Sequence, residues 1–473
     1  MKREISVDLA IIGAGTAGIS AFKEANKITD KIRLIDHGPL GTTCARIGCM
    51  PSKAFIQTAN FFHDRHYFAE RGIQGGNHLS VNIAEMMQYV RQVRDGFTSG
   101  TINYLESLGD RFIKGSAEFI EPNLIKVDQD KIHAKKIIIA TGSHSFIPPE
   151  WMAFSNQILT SENFFEQDHF ENKIVVIGAG IIGLELGQAL SRLGIDIDIF
   201  HSGNFIGKLS DPTVNDYATE VMQNELNLYP NHHADAEKLD DLLIVKSADK
   251  KVQTQQILAA LGRRPNLANL NLEKIGIKIE EIDKLHDRRT MQLGDFPIFL
   301  AGDVNKEKPL LHEAADEGHI AGYNAMVSEP FCFRRREPLT ILFTQPNIAI
   351  VGNSFKELQN SEFVVGEANF EKQGRARIMS NNRGILRIYA EKKDGKILGA
   401  EMIAPEGEHL AHMLAWTIQT QMTVFEVLKM PVYHPVIEEG MRTALRDLAK
   451  QVKNAPQNFE LAMCDSEALS NLS

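Results

Sequence analysis

Near the start of the chain, apolar residues alternate with polar ones at Ile5, Val7 and Leu9. They then run unbroken from Leu9 to Ile12 into Gly13-Ala14-Gly15-Thr16-Ala17-Gly18. A short apolar run that ends in glycines and leads into a helical periodicity is the pattern of a buried parallel strand followed by its crossover helix. The same series returns at residues 174–177, followed by Gly178-Ala179-Gly180-Ile181-Ile182-Gly183, with every glycine displaced by 165 positions. Each helix leads to another apolar run, residues 32–35 in the first copy and 195–200 in the second. Two G-x-G-x-x-G turns in register, each between a strand and a helix, predict two β-α-β units and therefore two nucleotide-binding domains.

The two halves differ in length. About a hundred residues separate Asp36 from Ile139-Ala140-Thr141-Gly142, but only about sixty separate His201 from Ala260-Leu261-Gly262. The first half therefore carries an insertion. Residues 231–256 read as short and irregular for the outer β-layer of a nucleotide domain. From about Pro338 the texture changes. Strand-like runs at 341–343, 348–351 and 385–389 precede helical ones at 409–420 and 437–450, which predicts a separate α+β domain. The expected organisation is α/β: residues 1–147 a first doubly wound, Rossmann-like domain, 148–265 a second, 266–337 a central segment returning to the first, and 338–473 the α+β domain.

Composition narrows the class. The 473 residues are 24% charged and 43% hydrophobic, a globular balance. With 51 basic and 61 acidic side chains the net charge is −10, so bulk charge draws the chain to neither nucleic acid nor an anionic membrane. No run of about 18 apolar residues predicts a membrane span, and the N-terminus reads as a first strand rather than a signal peptide. Four cysteines are too few for a disulfide framework, and the expected compartment is cytoplasmic.

The chemistry gathers at four places. Gly13, Gly15 and Gly18, and again Gly178, Gly180 and Gly183, offer close backbone approach and a helix N-terminus to a pyrophosphate. Asp36, 18 residues past the third glycine, is placed to accept hydrogen bonds from ribose hydroxyls; His201 holds the equivalent place in the second copy. A neutral imidazole there can bond a ribose, and a protonated one with Lys208 nearby would favour a 2′-phosphate. No arginine lies between 201 and 209, which favours NAD and leaves NADP open.

Cys44 and Cys49, within Gly41-Thr42-Thr43-Cys44-Ala45-Arg46-Ile47-Gly48-Cys49-Met50-Pro51-Ser52-Lys53, are four residues apart. So small a loop gains little chain entropy from a disulfide, which points to redox use, and a helix start beside Cys49 favours a thiolate. No C-x-x-C exists and Cys332 and Cys464 are isolated, so no metal site is expected. Finally, His434 and Glu439 have the spacing of a general base and the carboxylate that orients it, with Glu438 as the spare carboxylate.

In chain order, the first G-x-G-x-x-G, G-T-x-C-x-x-x-x-C-x-P-S-K, A-T-G-S, the second G-x-G-x-x-G-x-E, L-G-R-R-P-N, A-G-D and a late H-P-x-x-x-E resemble the pyridine nucleotide-disulfide oxidoreductases, most of all their dihydrolipoamide dehydrogenase branch. The resemblance covers nearly the whole chain. It implies FAD and NAD as cofactors and a homodimer whose tail histidine serves the partner's cysteines. The substrate would be a dithiol or disulfide, a lipoyl domain among the candidates.

The resemblance also assigns residues. Cys44 would be the interchange thiol and Cys49 the thiol against the flavin. Lys53 and Glu185 would pair near its ring, and Asp303 would hold the ribityl chain. Leu311-His312-Glu313 would begin a helix aimed at the flavin. Thr43, Thr141, Gly142 and Gly262 would line the cofactor sites, and His434 with Glu439 would form the acid–base pair. An NADPH-driven reductase of another disulfide such as glutathione, or a low-turnover flavin redox sensor, are the alternatives. Mercuric reductase is disfavoured by the lack of a vicinal cysteine pair in the tail.

Overall fold

The computed structural model describes residues 3–456 together with 460 and 461. Its contacts divide the chain into two compact units, one of residues 1–58, 81–170 and 261–335, the other of residues 59–80, 171–260 and 336–473.

The first unit is built on parallel strands in the order Phe112–Lys114, Ile32–Asp36, Glu4–Ile12 and Asp130–Ile139. The last residues of Asp130–Ile139 pair in parallel with Ile298–Leu300, and its first residues pair antiparallel with Leu124–Val127. The two central strands are continuously apolar at their ends, Leu9–Ile12 and Ile137–Ile139, because both faces are covered there. Leu9, Ile11, Leu34, Ile138 and Phe299 pack with Ala17, Ala21 and Phe22 of helix Thr16–Ala25 and with Ala314 and Ala321 of helix Leu311–Asn324. Val7, Ala10, Ile12, Ile137, Ile139 and Leu300 pack on the opposite face against Phe119, Ile125, Leu270 and Ile282. The expected insertion follows Asp36 as helices Thr43–Ile47, Cys49–His63 and Ile83–Ser107.

In the second unit, parallel strands run in the order Asn227–Pro230, Asp196–His201, Lys173–Ile177 and Gln256–Ala259. Residues 231–256 are not irregular, as their sequence suggested. Asp235–Leu239, Leu242–Ser247 and Lys250–Thr254 form a regular antiparallel meander. Only its middle strand is buried over consecutive residues, at Leu243, Ile244 and Val245, so the flanking strands carry charges on their exposed positions and hide the period.

The tail forms an antiparallel sheet in the order Leu339–Leu342, Asn347–Gly352, Ile397–Ala404, Ile385–Glu391 and Phe363–Asn369. Helices Gly407–Gln419, Val424–Leu428 and Glu439–Ala449 share one core with this sheet. The architecture is thus the expected α/β arrangement, two Rossmann-like sheets and an α+β domain. Asp211, fully buried, caps helix Pro212–Gln223. It also accepts bonds from Arg387 (2.7 Å) and the Tyr389 hydroxyl (2.9 Å), tying the nucleotide sheet of this unit to the tail sheet.

Candidate functional site

The two glycine turns are built alike. A Cβ on Gly13 would lie 2.2 Å from the Ala140 carbonyl oxygen and one on Gly18 1.8 Å from that of Gly13, whereas one on Gly15 would meet nothing within 4 Å. In the second copy the corresponding distances are 2.3 Å at Gly178 and 1.9 Å at Gly183, with open space again at Gly180. The first and third glycines are therefore demanded by the protein's own backbone. The middle one keeps the helix N-terminus open, as a dinucleotide pyrophosphate requires. By this test both cradles fit a dinucleotide.

The residues at the ends of the two second strands, Asp36 and His201, differ. Asp36 accepts the Ala14 N–H on one carboxylate oxygen and the Gly38 N–H on the other, both at 2.7 Å. Each oxygen keeps a second lone pair for a ribose hydroxyl. His201 stands in the same relation to the second turn: its Nδ1 accepts the Ala179 N–H at 3.4 Å, and its Nε2 lies 2.9 Å from the Phe205 carbonyl oxygen. These two contacts engage both ring nitrogens within the chain.

The cysteine segment begins with Thr42, whose hydroxyl accepts the Ala45 N–H and caps helix Thr43–Ile47. Gly48 interrupts the helix: a Cβ there would lie 3.0 Å from the Thr43 carbonyl oxygen and 3.2 Å from the Cα of Cys44. Cys49 then opens the next helix, placing its sulfur at a helix N-terminus. No disulfide joins the two cysteines, which are partly buried and in contact. The Cys44 thiol is pushed well above the ordinary thiol range, first by its hydrogen bond with Cys49 and then by burial. Lys53 lies one turn further along the helix from Cys49 and is partly buried.

A second assembly in the same unit surrounds Asp303. The Ser143 hydroxyl donates to Asp303 (3.0 Å) and in turn accepts from Arg263 Nε (2.8 Å). Arg263 also reaches the Ser143 carbonyl and the Ser161 hydroxyl. Asn266 braces the A-T-G-S turn: its side-chain amide donates to the Thr141 carbonyl, its N–H donates to that of Gly142, and its own carbonyl accepts the Thr141 hydroxyl. Gly262 holds the next strand by accepting the Phe146 N–H. Sequence reasoning did not single out Ser143, Arg263 or Asn266 as site residues, although two of them stand in L-G-R-R-P-N and one in A-T-G-S. His312, at the start of helix Leu311–Asn324, is exposed.

In the second unit Glu185, 4% exposed, accepts the Phe343 N–H at 2.8 Å, and Gln188, one turn on, accepts that of Gln345 at 2.9 Å. The helix carrying the second glycine turn thereby grips the tail's 343–345 loop. Glu439 begins the tail helix and uses both oxygens: one accepts from His434 Nδ1 at 3.0 Å, the other from the Val436 N–H at 3.2 Å. The carboxylate is held below its usual range, first by the His434 hydrogen bond. The ring is thus oriented with Nε2 left to take a proton. The Cys44–Cys49 pair and Asp303 belong to the first unit, and the His434–Glu439 pair to the second. Cys332 is exposed, and Cys464 lies outside the described residues.

Known proteins resemble this chain in sequence and in fold. The chain is 27% identical over 450 residues to dihydrolipoyl dehydrogenase of Bacillus subtilis (strain 168), covering 92% of this chain and 95% of that protein. It is 26% identical over 457 residues to mercuric reductase of Bacillus cereus, covering 94% of this chain and 72% of that one. Among solved structures, LpdA of Mycobacterium tuberculosis superposes with a TM-score of 0.82 at 23% identity, covering 93% of this chain and 99% of that one. The HOCl-induced flavoprotein disulfide reductase RclA of Escherichia coli gives 0.80 at 21%, covering 94% and 100%. The family model described as pyridine nucleotide-disulphide oxidoreductase matches residues 7–318, and that family's dimerisation domain matches residues 339–445. Two nucleotide cradles, a thiol pair and a dimerisation domain thus follow one another along one chain, which belongs to the pyridine nucleotide-disulphide oxidoreductases, FAD-binding and NAD(P)-dependent flavoenzymes.

Proposed function

We propose that the chain is a dihydrolipoyl dehydrogenase-like enzyme, moving electrons between a dithiol substrate and NAD through Cys44, Cys49 and FAD. The observation that carries this reading is the thiol pair: two cysteines in contact, one of them at a helix N-terminus. Bound there, FAD would supply the two-electron acceptor for the thiol pair and the hydride for NAD⁺. Asp36, Thr43, Lys53, Thr141, Gly142 and Asp303 would hold it, with His312 at the start of the helix that closes the site. Glu185, Gly262 and His201 would serve the nicotinamide nucleotide side.

The chain's own steps begin at His434, whose Nε2 takes the proton of a dihydrolipoyl thiol while Glu439 stabilises the imidazolium. The resulting thiolate attacks Cys44 of the oxidised pair, forming a mixed disulfide and releasing Cys49 as a thiolate. The substrate's second thiol then displaces Cys44, which leaves with the proton, and the substrate departs as its cyclic disulfide. His434 is 81% exposed at its side chain in the single chain, as befits a base that completes a site on a partner protomer.

Steady-state rates with lipoamide as acceptor and NADH or NADPH as donor test the reading, which expects the higher kcat/KM with NADH. Lipoamide turnover absent with both donors, but present with glutathione disulfide and NADPH, would favour the second reading, a reductase of another disulfide. His201 supports that alternative, because it leaves the second ribose position without a carboxylate.

A further inference from the structure

We infer that Glu317 is a positioning residue for FAD: it fixes the Ala301-Gly302-Asp303 turn at a set distance from the pyrophosphate helix. One Glu317 oxygen accepts the Gly302 N–H and the Asn305 side-chain amide, both at 2.7 Å, and the other accepts from Arg335 at 3.0 Å. Glu317 is 2% exposed. Burial pushes its carboxyl up, while the Gly302 N–H, Arg335 and the Asn305 amide pull it back. Arg335 also bonds Glu313 at 2.5 Å, and Lys308 stands 3.7 Å from Glu313, so two carboxylates meet two cations.

The residue beside Glu317 makes the other half of a bracket. Helix Leu311–Asn324 lies against helix Thr16–Ala25 so closely that a Cβ on Gly318 would sit 2.2 Å from the Ala17 carbonyl oxygen, and one on Gly322 2.5 Å from that of Ala21. One rigid helix therefore meets the pyrophosphate helix through its glycines and holds the Asp303 turn through its glutamate. On the reading of Asp303 as the ribityl partner, FAD would span from the glycine cradle to Asp303, whereas ADP would fill only the cradle. The bracket acts on the span between them, so its loss weakens FAD and spares ADP. This rests on the reading of Asp303 as the ribityl partner.

The test uses the full-length chain. FAD affinity is read from flavin fluorescence on dilution of the holoenzyme, and ADP affinity from competition against FAD. Glu317→Gln keeps the size of the side chain but puts an amide where one carboxylate oxygen was. Asn305→Ala removes one donor from the same carboxylate. Each is expected to raise the FAD dissociation constant about tenfold and to change that of ADP by less than about twofold. If the glutamine variant does not fold, the Asn305 variant carries the test. Unchanged FAD affinity in the variants, or equal losses for FAD and ADP, overturns the proposal. Asp303→Ala separates the two readings. FAD loss there without loss in the Glu317 and Asn305 variants overturns the bracket alone. No FAD loss there overturns the ribityl reading and the bracket with it.

Discussion

Replacing Glu439 with glutamine isolates what a charge contributes to the acid–base pair. The carboxylate holds His434 Nδ1 at 3.0 Å and the Val436 N–H at 3.2 Å. Glutamine has one acceptor oxygen for these two donors, so one contact turns into an N–H facing an N–H. Two unit charges about 4 Å apart interact by about 1 kcal/mol in water and about 4 kcal/mol near a protein surface. With side-chain exposures of 81% and 36%, the pair belongs near the watery end of that range. Allowing for the mismatched amide, about 1–2 kcal/mol of imidazolium stabilisation is lost, or about five- to thirtyfold in kcat for dihydrolipoamide oxidation. His434→Gln, which removes the base itself, should lose about 10²–10⁴-fold. The assay pairs that reaction with NADH oxidation by ferricyanide, an electron acceptor that needs no proton from a thiol. Ferricyanide rates should match the unsubstituted protein in both variants. Equal losses in the two assays, or an undiminished dithiol rate in Glu439→Gln, would refute the reasoning.

Three further outcomes are expected. Cys44→Ser should leave a Cys49 thiolate against oxidised FAD and show a long-wavelength charge-transfer absorption, while Cys49→Ser should show none; the reverse pattern would exchange the two roles. Mixing Cys44→Ser chains with equal amounts of His434→Gln chains should yield about half heterodimers, each with one intact site, and so about a quarter of full activity. With subunit exchange verified, a mixture no more active than its components would mean that the site lies within one chain. Burial lowers the His286 imidazole to about 4, and its Nε2 finds no hydrogen-bond partner among the described residues. The unfolded chain, with a histidine pKa of about 6.5, takes up the proton first. Stability is therefore whole above that pH and falls between about 6.5 and 4, by at most about 3 kcal/mol. His286→Leu should flatten the urea midpoint over this interval; an unchanged pH slope would count against the buried neutral ring.

What the amino-acid order alone determined is whatever depends on neighbours within about twenty positions. The two glycine turns were legible from their spacing, and their third glycines are demanded locally, by the carbonyl of the first glycine five positions back; the first glycines answer to the Ala140 and Ala260 carbonyls, which only the assembled sheet brings there. The thiol pair was legible from two cysteines, an intervening glycine and a helix start, and the His434–Glu439 pair from a spacing that one turn closes. The meander at 235–254 was misread because its flanking strands expose charged positions and only its centre is buried.

Tertiary structure decided the rest. Arg263 meets Ser143 across 120 positions, and Ser143 meets Asp303 across 160, because the strands carrying those segments lie together in the first unit. Glu185 spends one carboxylate oxygen on the Phe343 N–H, which no spacing in its own helix announces. His201 stands to the second glycine turn as Asp36 stands to the first, yet both its ring nitrogens are already bonded within the chain. Periodicity reveals which face of an element is buried, but the partner of a buried polar group depends on the order in which strands and helices assemble, and chain folding alone brings such distant partners within 3 Å.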